Sequence, residues 1–433
     1  MAWWKKFKDP ELNSLIAEAL QNNANIQQAI GNVIQAQGAL QQVQMGWVPT
    51  MGAAAGYGGS GTYSGAPNPA TQQATIGAAT GYSVSLLPTY SLNIFQQLRS
   101  QEAAKANLLA AKYTKDAMRL TIIGQVAGSY FSLRGFEYLL VLQKQLVADT
   151  KKLYELTNAQ YKEGFISLFN LQSYQQQYET AMVQVPIIEN NIVQTRNAIR
   201  VLINRNPGDI ASGIDFTAIP MNGIVPGNLP SVVLKNRPDI MQAEQQLIAA
   251  NANIGVATST FFPTLVLTNT SGFASSALNF LFSAGSDFWR ANIAANMPIL
   301  NLSIYGQIKG ARGAYYTAYY NYIQTVRTAF SQVDSGLSGH DKLTKSYNMQ
   351  HQVYDSAKLA YKLGDARFTE GADSYVTMLA YKVAYDNAAI KLSTIKVQQL
   401  QSISTLYQAL AGGYNVNNTD KPLTTFGDGR DAY

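Results

Sequence analysis

The chain has 433 residues, of which 47% are apolar but only 13% are charged, about half of the usual charged share. It contains no cysteine, which excludes disulfides, thiolate metal sites and cysteine nucleophiles. The net charge of +6 is dispersed without a basic cluster, so we do not predict nucleic-acid binding.

No apolar run reaches the roughly 18 residues of a membrane-spanning helix. The N-terminus lacks the apolar core of a signal peptide, so we expect a cytoplasmic chain or one whose targeting segment was removed.

The first part of the chain changes from helical to alternating periodicity near Trp47. Residues 11–45 are rich in Ala, Gln and Asn and predict one helix within an N-terminal segment at 1–46. Between 47 and 95, two runs alternate apolar residues with Gly, Ser and Thr, on either side of a polar loop. They predict two long strands joined as a hairpin. The alternating apolar positions include Met51, Tyr57 and Tyr63 in the first run, and Ile76, Tyr82, Val84 and Leu86 in the second.

A second pair of alternating runs lies within 261–302 and predicts two further strands. Their apolar positions include Leu265, Leu267, Phe273, Trp289 and Ile293, and polar or small residues stand between them. One apolar and one polar face over about ten residues is the pattern of a strand in a membrane.

Long helices are predicted at 96–205 and 303–412, where apolar residues recur at steps of three and four. A further helix is predicted at 228–260, and the segments at 206–227 and 413–433 are predicted connections. Within the first long helix, three glycines are candidate interruptions: Gly124, Gly128 and Gly135.

Two similar stretches lie half the chain length apart, "QYKEGFISLF" at 160–169 and "RFTEGADSYV" at 367–376. Each has an aromatic residue, then Glu-Gly, then a Ser three residues after the Gly. The prolines, glycines and alternating runs around them recur in the same order, which predicts an internal two-fold repeat.

Each stretch is also predicted to be the tip of a helical hairpin, near 160–168 and 367–375. Gly164 and Gly371 can adopt the left-handed conformation that ends a helix. Ser167 and Ser374 stand where a side chain can cap the helix that follows.

Four amphipathic strands cannot close a barrel, and lipid does not tolerate an open sheet edge. Other copies of the chain must therefore complete the sheet. Two copies give eight strands with a filled bore, whereas three give twelve strands with a lumen. The small polar residues that face inward favour three copies.

The long helices are too polar for lipid and would extend the barrel as a tube. We therefore predict an α+β membrane protein, a homotrimeric twelve-stranded β-barrel continued by an α-helical coiled-coil tunnel. The alternative is a soluble β-sandwich.

Four stretches resemble the TolC family of outer-membrane channels, in the branch that serves tripartite RND drug efflux. They are "WWKKFKDPEL" (3–12), "QVAGSYFSLRG" (125–135), "LPSVVLKNRPDIMQAEQQLIAANANIGVATSTFFPTLVLT" (229–268) and "LYQALAGGY" (406–414). The resemblance covers essentially the whole chain. It implies a trimer in bacterial outer-membrane lipid with its tunnel in the periplasm. It also implies docking of a periplasmic adaptor at the hairpin tips and an inner-membrane RND pump that supplies energy.

The resemblance also implies a gate at the tunnel end, where members often place acidic residues after the second tip glycine. Thr377 and Ala380 occupy two such positions here, and the lipid-bearing cysteine common in this branch is absent. The candidate gate residues are therefore the other charged side chains of the second tip: Asp365, Arg367, Glu370 and Asp373. The first tip, with Phe165 and Ile166, is predicted to be the more apolar contact.

No enzyme activity, cofactor or metal is predicted. "GYGGSG" (56–61) matches a dinucleotide-binding pattern, but strand and not helix is predicted after it. His340 and His351 lack a companion carboxylate pattern for a metal. The predicted function is a passive duct for drugs or other small toxic compounds. The alternatives are a TolC-like duct for type I protein secretion and a soluble coiled-coil scaffold.

Overall fold

The computed structural model describes residues 2–64, 75–221 and 236–410, with side chains omitted for 60–64 and 75–79. It divides into two compact units. The helical unit combines Met1–Asn32, Ala111–Gln242 and Tyr322–Tyr433, and the sheet unit combines Val33–Ala110 and Ala243–Asn321.

Helices make up most of the described chain. They are α1 (Pro10–Asn22), α2 (Ala24–Met45), α3 (Ile94–Lys162), α4 (Leu168–Leu202), α5 (Pro238–Ser259), α6 (Ser303–Thr369) and α7 (Tyr375–Ala409). Short 3-10 turns lie at Trp3–Phe7, Phe216–Ala218 and Leu278–Phe280. In the part of the chain that the structure describes, none of these helices has the length and hydropathy of a membrane span.

The four strands form one antiparallel sheet in the order β1-β2-β3-β4. They are β1 (Thr50–Ser64), β2 (Thr75–Leu92), β3 (Thr264–Ser275) and β4 (Asp287–Asn296). The stretch "GYGGSG" lies inside β1, and no helix follows it directly. This agrees with its interpretation as strand.

The strand register joins the predicted apolar positions of all four strands on one face. Tyr57 pairs with Tyr82, and Val84 pairs with Phe273. Leu267 pairs with Ile293. Since directly paired residues point to the same side of a sheet, the apolar positions of every strand form a single surface. Large side chains on this face, including those of Met51, Trp289 and Ile293, are exposed in the single chain.

The prediction of one helix over 11–45 was wrong, because the chain breaks at Asn23. This residue has an extended backbone (φ −61°, ψ 127°), which ends α1. Its buried side chain accepts hydrogen bonds from the N–H groups of Asn25 and Ile26 and so caps α2. Its Nδ2 donates to the carbonyl oxygen of Leu202 in α4 at 2.8 Å. This distant contact fixes the break.

The glycines of α3 do not interrupt the helix, which is continuous from Ile94 to Lys162. Two of them allow close packing of α7 instead. An added Cβ at Gly124 would collide with the Gln408 side chain, and one at Gly135 would collide with Val397. The Gly124 carbonyl oxygen also accepts a 3.0 Å hydrogen bond from Ser404.

The core of the helical unit includes the start of the chain. Trp3, Trp4 and Phe7 are buried there, and the Trp3 ring stacks on Tyr407 with centroids 4.7 Å apart. Asp9 caps α1 and accepts a 2.6 Å hydrogen bond from the buried Tyr130 hydroxyl. The N-terminal segment is thus part of the folded core.

Some predicted segments lie outside the described residues. These are 413–433 entirely, 222–227 of the first predicted connection, 228–235 of the helix predicted at 228–260, and most of the polar loop after β1. The predicted domain boundaries therefore stay predictions.

Candidate docking and gating site

The first turn, between α3 and α4, is closed by backbone hydrogen bonds. Gly164 has φ of +75°, its N–H donates to Tyr161, and the N–H of Phe165 donates to Gln160, each at 2.9 Å. This pair of bonds satisfies the last carbonyl groups of α3 in the manner of a Schellman motif. Ser167 then accepts a hydrogen bond from the Asn170 N–H and caps α4.

The second turn, between α6 and α7, has the same construction. Gly371 has φ of +76° and donates to Phe368 at 2.9 Å, while the Ala372 N–H donates to Arg367 at 2.8 Å. Ser374 accepts a 3.1 Å hydrogen bond from the Thr377 N–H. The structure therefore places all four predicted tip residues in the conformations that the sequence indicates: Gly164, Ser167, Gly371 and Ser374.

The two turns differ in the side chains that they expose. The first presents Phe165 and Phe169, whose side chains are 78% and 82% exposed, and Leu168 beside them. The second turn has no large exposed apolar residue between Gly371 and Ser374, since these positions hold Gly, Ala, Asp and Ser. The first turn is therefore the more apolar surface and the second the more charged one.

Arg367 and Asp373 form a two-point ion pair across the second turn. The Arg367 Nε donates to Asp373 Oδ2 at 2.6 Å and Nη2 donates to Oδ1 at 3.1 Å. The hydrogen bond from Arg367 lowers the pKa of Asp373, so this carboxylate is ionised near neutral pH. Asp365 and Glu370 are exposed on the same turn. Thus two of the four predicted gate residues form a pair, and the other two lie beside them.

The two hairpins pack against each other in the helical unit. An apolar cluster joins them through Leu146 and Leu153 of α3, Ala181 of α4, and Met378 and Val383 of α7. Lys152 of α3 also lies over the Tyr375 ring, with its Nζ 4.8 Å from the ring centroid. The turns therefore belong to one packed bundle.

A charged group that sequence analysis missed lies in the same bundle; we call it the Lys382 cluster (Asp149, Lys382 and Asp386). The Lys382 Nζ lies 2.5 Å from Asp386 on its own helix and 3.3 Å from Asp149 of α3. Asp386 is 4% exposed, and its Oδ2 has no hydrogen-bond partner. Burial, with Asp149 close by, raises the pKa of Asp386 to about 6.

Aromatic rings surround the Lys382 cluster. The Lys382 Nζ lies 5.5 Å from the ring centroid of Tyr361 and 5.2 Å from that of Tyr385. The hydroxyl groups of Tyr354 and Tyr385 are 3.1 Å apart. The spacing of Lys382 and Asp386 at i and i+4 was visible in the sequence, but the contribution of Asp149 depends on the packing of α3 on α7.

The two histidines lie in different surroundings. His351 contacts Asp355 at 2.9 Å, and burial lowers the pKa of the partly buried His340. Within the described ranges, no group of three His, Cys, Asp or Glu side chains is arranged to hold a metal ion.

One family model covers both the sheet and the turns. The family model described as outer membrane efflux protein matches residues 15–205 and 229–412, which include both turns and all four strands. The chain belongs to the outer membrane efflux protein family. The predicted membership of the TolC-type efflux channels and the predicted outer-membrane location are confirmed, and the soluble scaffold is excluded.

Similarity to known relatives extends over nearly the whole length of this efflux protein. The probable efflux pump outer membrane protein SepC of Pseudomonas putida is 31% identical over 431 residues, which are 98% of this chain and 87% of SepC. The toluene efflux pump outer membrane protein TtgF of Pseudomonas putida gives the same values.

Solved outer-membrane channels share its fold. The open state of MtrE from Neisseria gonorrhoeae superimposes with a TM-score of 0.82 at 26% identity, covering 94% of this chain and 90% of MtrE. The CmeC channel of Campylobacter jejuni has a TM-score of 0.84 at 24% identity, with 97% and 89% covered. The efflux protein thus has an outer-membrane channel fold with a four-stranded antiparallel sheet.

Proposed function

We propose that the efflux protein is a passive trimeric duct that exports drugs or other small toxic compounds from the periplasm. The observation that supports this most directly is the sheet, which has one exposed apolar face and two strands with unpaired edges. Such a sheet is suited to lipid only after other copies have completed it.

The strand directions suit closure by copies of the same chain. In the described sheet, β1 and β4 are the edge strands and run in opposite directions. Placing β1 of one copy beside β4 of the next continues the antiparallel alternation. Three copies give a twelve-stranded barrel wide enough for a lumen.

The two helical hairpins support an internal two-fold repeat. Their second helices, α4 and α7, each have 35 residues. Both turns have a glycine at positive φ and a serine cap. We propose that each half of the chain contributes one strand pair and one hairpin.

The exposed turns are the proposed docking surface of a periplasmic adaptor, which would connect the duct to an inner-membrane RND pump. Phe165, Leu168 and Phe169 offer apolar contact at the first turn. Large exposed aromatic side chains are typical anchors of protein interfaces. The relatives are named as parts of efflux pumps, which fits a partner of this kind.

The Arg367–Asp373 pair is the proposed gate element at the second turn. In a trimer, three copies of this pair would surround one axis, where a ring of charges controls ion passage. Asp373→Ala would leave three unpaired arginines there, so we expect altered conductance and weaker cation preference in the closed channel. Planar-bilayer recordings measure both. Glu370→Gln is the matched control, since it removes one negative charge and leaves the Arg367–Asp373 pair intact. If both variants change conductance equally, the net charge of the turn and not the ion pair would control ion passage.

Deletion of the gene tests the transport proposal. We expect higher accumulation of a fluorescent drug substrate in the deletion strain, restored by the intact gene. A photoreactive crosslinker at Ser374 should capture a periplasmic protein. Unchanged accumulation together with the absence of any adduct would contradict export through an adaptor-coupled duct.

A further inference from the structure

Two exposed apolar segments flank the sheet at one end. The entry segment, which leads from α2 into β1, contains Met45 and Val48. The exit segment, which leads from β4 to α6, contains Met297, Ile299, Leu300 and Leu302. Ile299 is 97% exposed and Leu300 is 85% exposed. Apolar side chains exposed contiguously to this extent mark a surface that a protein partner or a membrane covers.

Both segments lie at the same end of the sheet but on opposite edges. Thr50, the first residue of β1, pairs with Thr89, and Asn296, the last residue of β4, pairs with Thr264. The two central strands separate β1 from β4 within one chain. The entry and exit segments of the same chain are therefore about 14 Å apart, at roughly 4.8 Å per strand.

Both segments have a defined backbone. The Val48 N–H donates to the Met45 carbonyl oxygen at 2.9 Å. Asn301 accepts a 3.1 Å hydrogen bond from the Ser303 N–H at the start of α6. The apolar side chains are thus presented on ordered turns.

The charge distribution favours a protein partner over lipid headgroups. The sequence has no Asp, Glu, Lys or Arg between Glu18 and Arg99, or between Arg290 and Lys309. Segments that meet headgroups at a membrane surface commonly supply Lys or Arg to them. The entry and exit segments have no Lys or Arg. An uncharged apolar protein surface therefore complements them better than lipid headgroups do. Each segment is such a surface for the other.

We infer that the entry segment of one copy packs against the exit segment of the next copy and forms an apolar seam at the end of the sheet. This inference rests on the proposed trimer and specifies the contact that would hold its copies together. Pairing of β4 with β1 of the next copy would bring the two segments together, because each directly continues one of those strands.

Disulfide crosslinking tests the seam, and the absence of cysteine makes it specific. Val48→Cys and Ile299→Cys are introduced together, and outer-membrane fractions are oxidised. Within one chain the segments are too far apart for a disulfide, whose Cα atoms must lie within about 7 Å. We expect most of the protein to move to dimer and trimer bands that reductant reverses. Mixed copies of the two single variants should give only dimers.

A matched pair controls for chance collisions. Leu278 is also an exposed apolar residue, but it lies in the connection between β3 and β4, at the other end of these strands. Val48→Cys with Leu278→Cys should therefore stay monomeric on the gel.

The mass of the detergent-solubilised protein separates failure of the seam from failure of the duct. A trimer that crosslinks neither directly nor through a short bismaleimide overturns the seam and leaves the trimer intact. A spin label at Ile299 that senses lipid-phase oxygen in that trimer assigns the exit segment to lipid, which also overturns the seam. A monomer overturns both.

Discussion

Gly272 lies at a close approach between β2 and β3. An added Cβ would overlap the Val84 carbonyl oxygen and lie 2.6 Å from the Ser85 Cα. These are backbone atoms, so they cannot rotate away as a side chain can. We expect Gly272→Ala to destabilise the sheet by about 1–3 kcal/mol or more, in the range of overpacked cores. The thermal midpoint of the purified protein and its yield in the outer membrane measure the loss.

Gly58 is the matched control in β1, where an added Cβ has no atom within 4 Å. Gly58→Ala should leave the thermal midpoint nearly unchanged. Equal losses in the two variants would show that strand glycines act through backbone freedom and not through close approach.

Single residues also show where sequence reasoning succeeds and where it fails. The positive φ of Gly164 and the capping by Ser167 were predicted correctly, because a helix end followed by a cap is determined by neighbouring residues. Asn23 was missed, since its break depends on a contact with Leu202, far along the chain. The role of Gly135 likewise depends on Val397, which a pattern within α3 cannot reveal.

At the scale of helices, we expect the Lys382 cluster to make the packing of α3 on α7 dependent on pH. The raised pKa of Asp386 means that the folded protein favours its protonated form. The stabilising contribution of this group is therefore fully present below its ordinary pKa of 3.8 and is lost as the pH rises through about 6. The groups that act on Asp386 are Asp149 on α3 and Lys382 and Tyr385 on α7. Tyr354 on α6 contacts the Tyr385 hydroxyl.

We expect hydrogen exchange in α3 and α7 near this cluster to be faster at pH 7.5 than at pH 5, after correction for intrinsic rates. Asp386→Asn should slow exchange at pH 7.5 and remove most of the pH dependence, because a neutral amide replaces the buried carboxylate. Asp341→Asn is the control, since Asp341 pairs with Lys345 on the exposed face of α6. A pH dependence that survives in Asp386→Asn would contradict the assignment to Asp386.

Strands were more predictable than helix contacts. Alternation determines which side each strand residue faces, so the shared apolar face followed from sequence once the strands paired. Helices α3, α6 and α7 are long and have apolar residues on more than one face, and their sequences do not show which faces meet. The pairing of Asp149 with Lys382 therefore required the structure.

At the scale of the whole molecule, the first turn tests whether docking and assembly are separate properties. Phe165 and Phe169 are highly exposed, so Phe165→Ser with Phe169→Ser should leave trimer formation and membrane insertion unchanged. The proposed docking surface would lose its apolar anchors, and residues of this kind typically contribute 2 kcal/mol or more to an interface, as an order of magnitude. We expect drug accumulation close to that of the deletion strain.

Phe280→Ser with Phe282→Ser is the matched control, because it removes two exposed aromatic rings from the β3–β4 connection. Normal export in this control and loss of export in the Phe165–Phe169 variant would locate docking at the first turn. Normal export in both variants would show that partner binding does not depend on the apolar side chains of the first turn.

The construction of the two turns has an evolutionary consequence. Each is closed by main-chain hydrogen bonds and has a glycine at positive φ and a serine cap. The side chains between and beside them are free to change without refolding the hairpin. A lineage could therefore acquire a different partner through a few substitutions, and a graft of one turn into a related duct should transfer partner choice along with it.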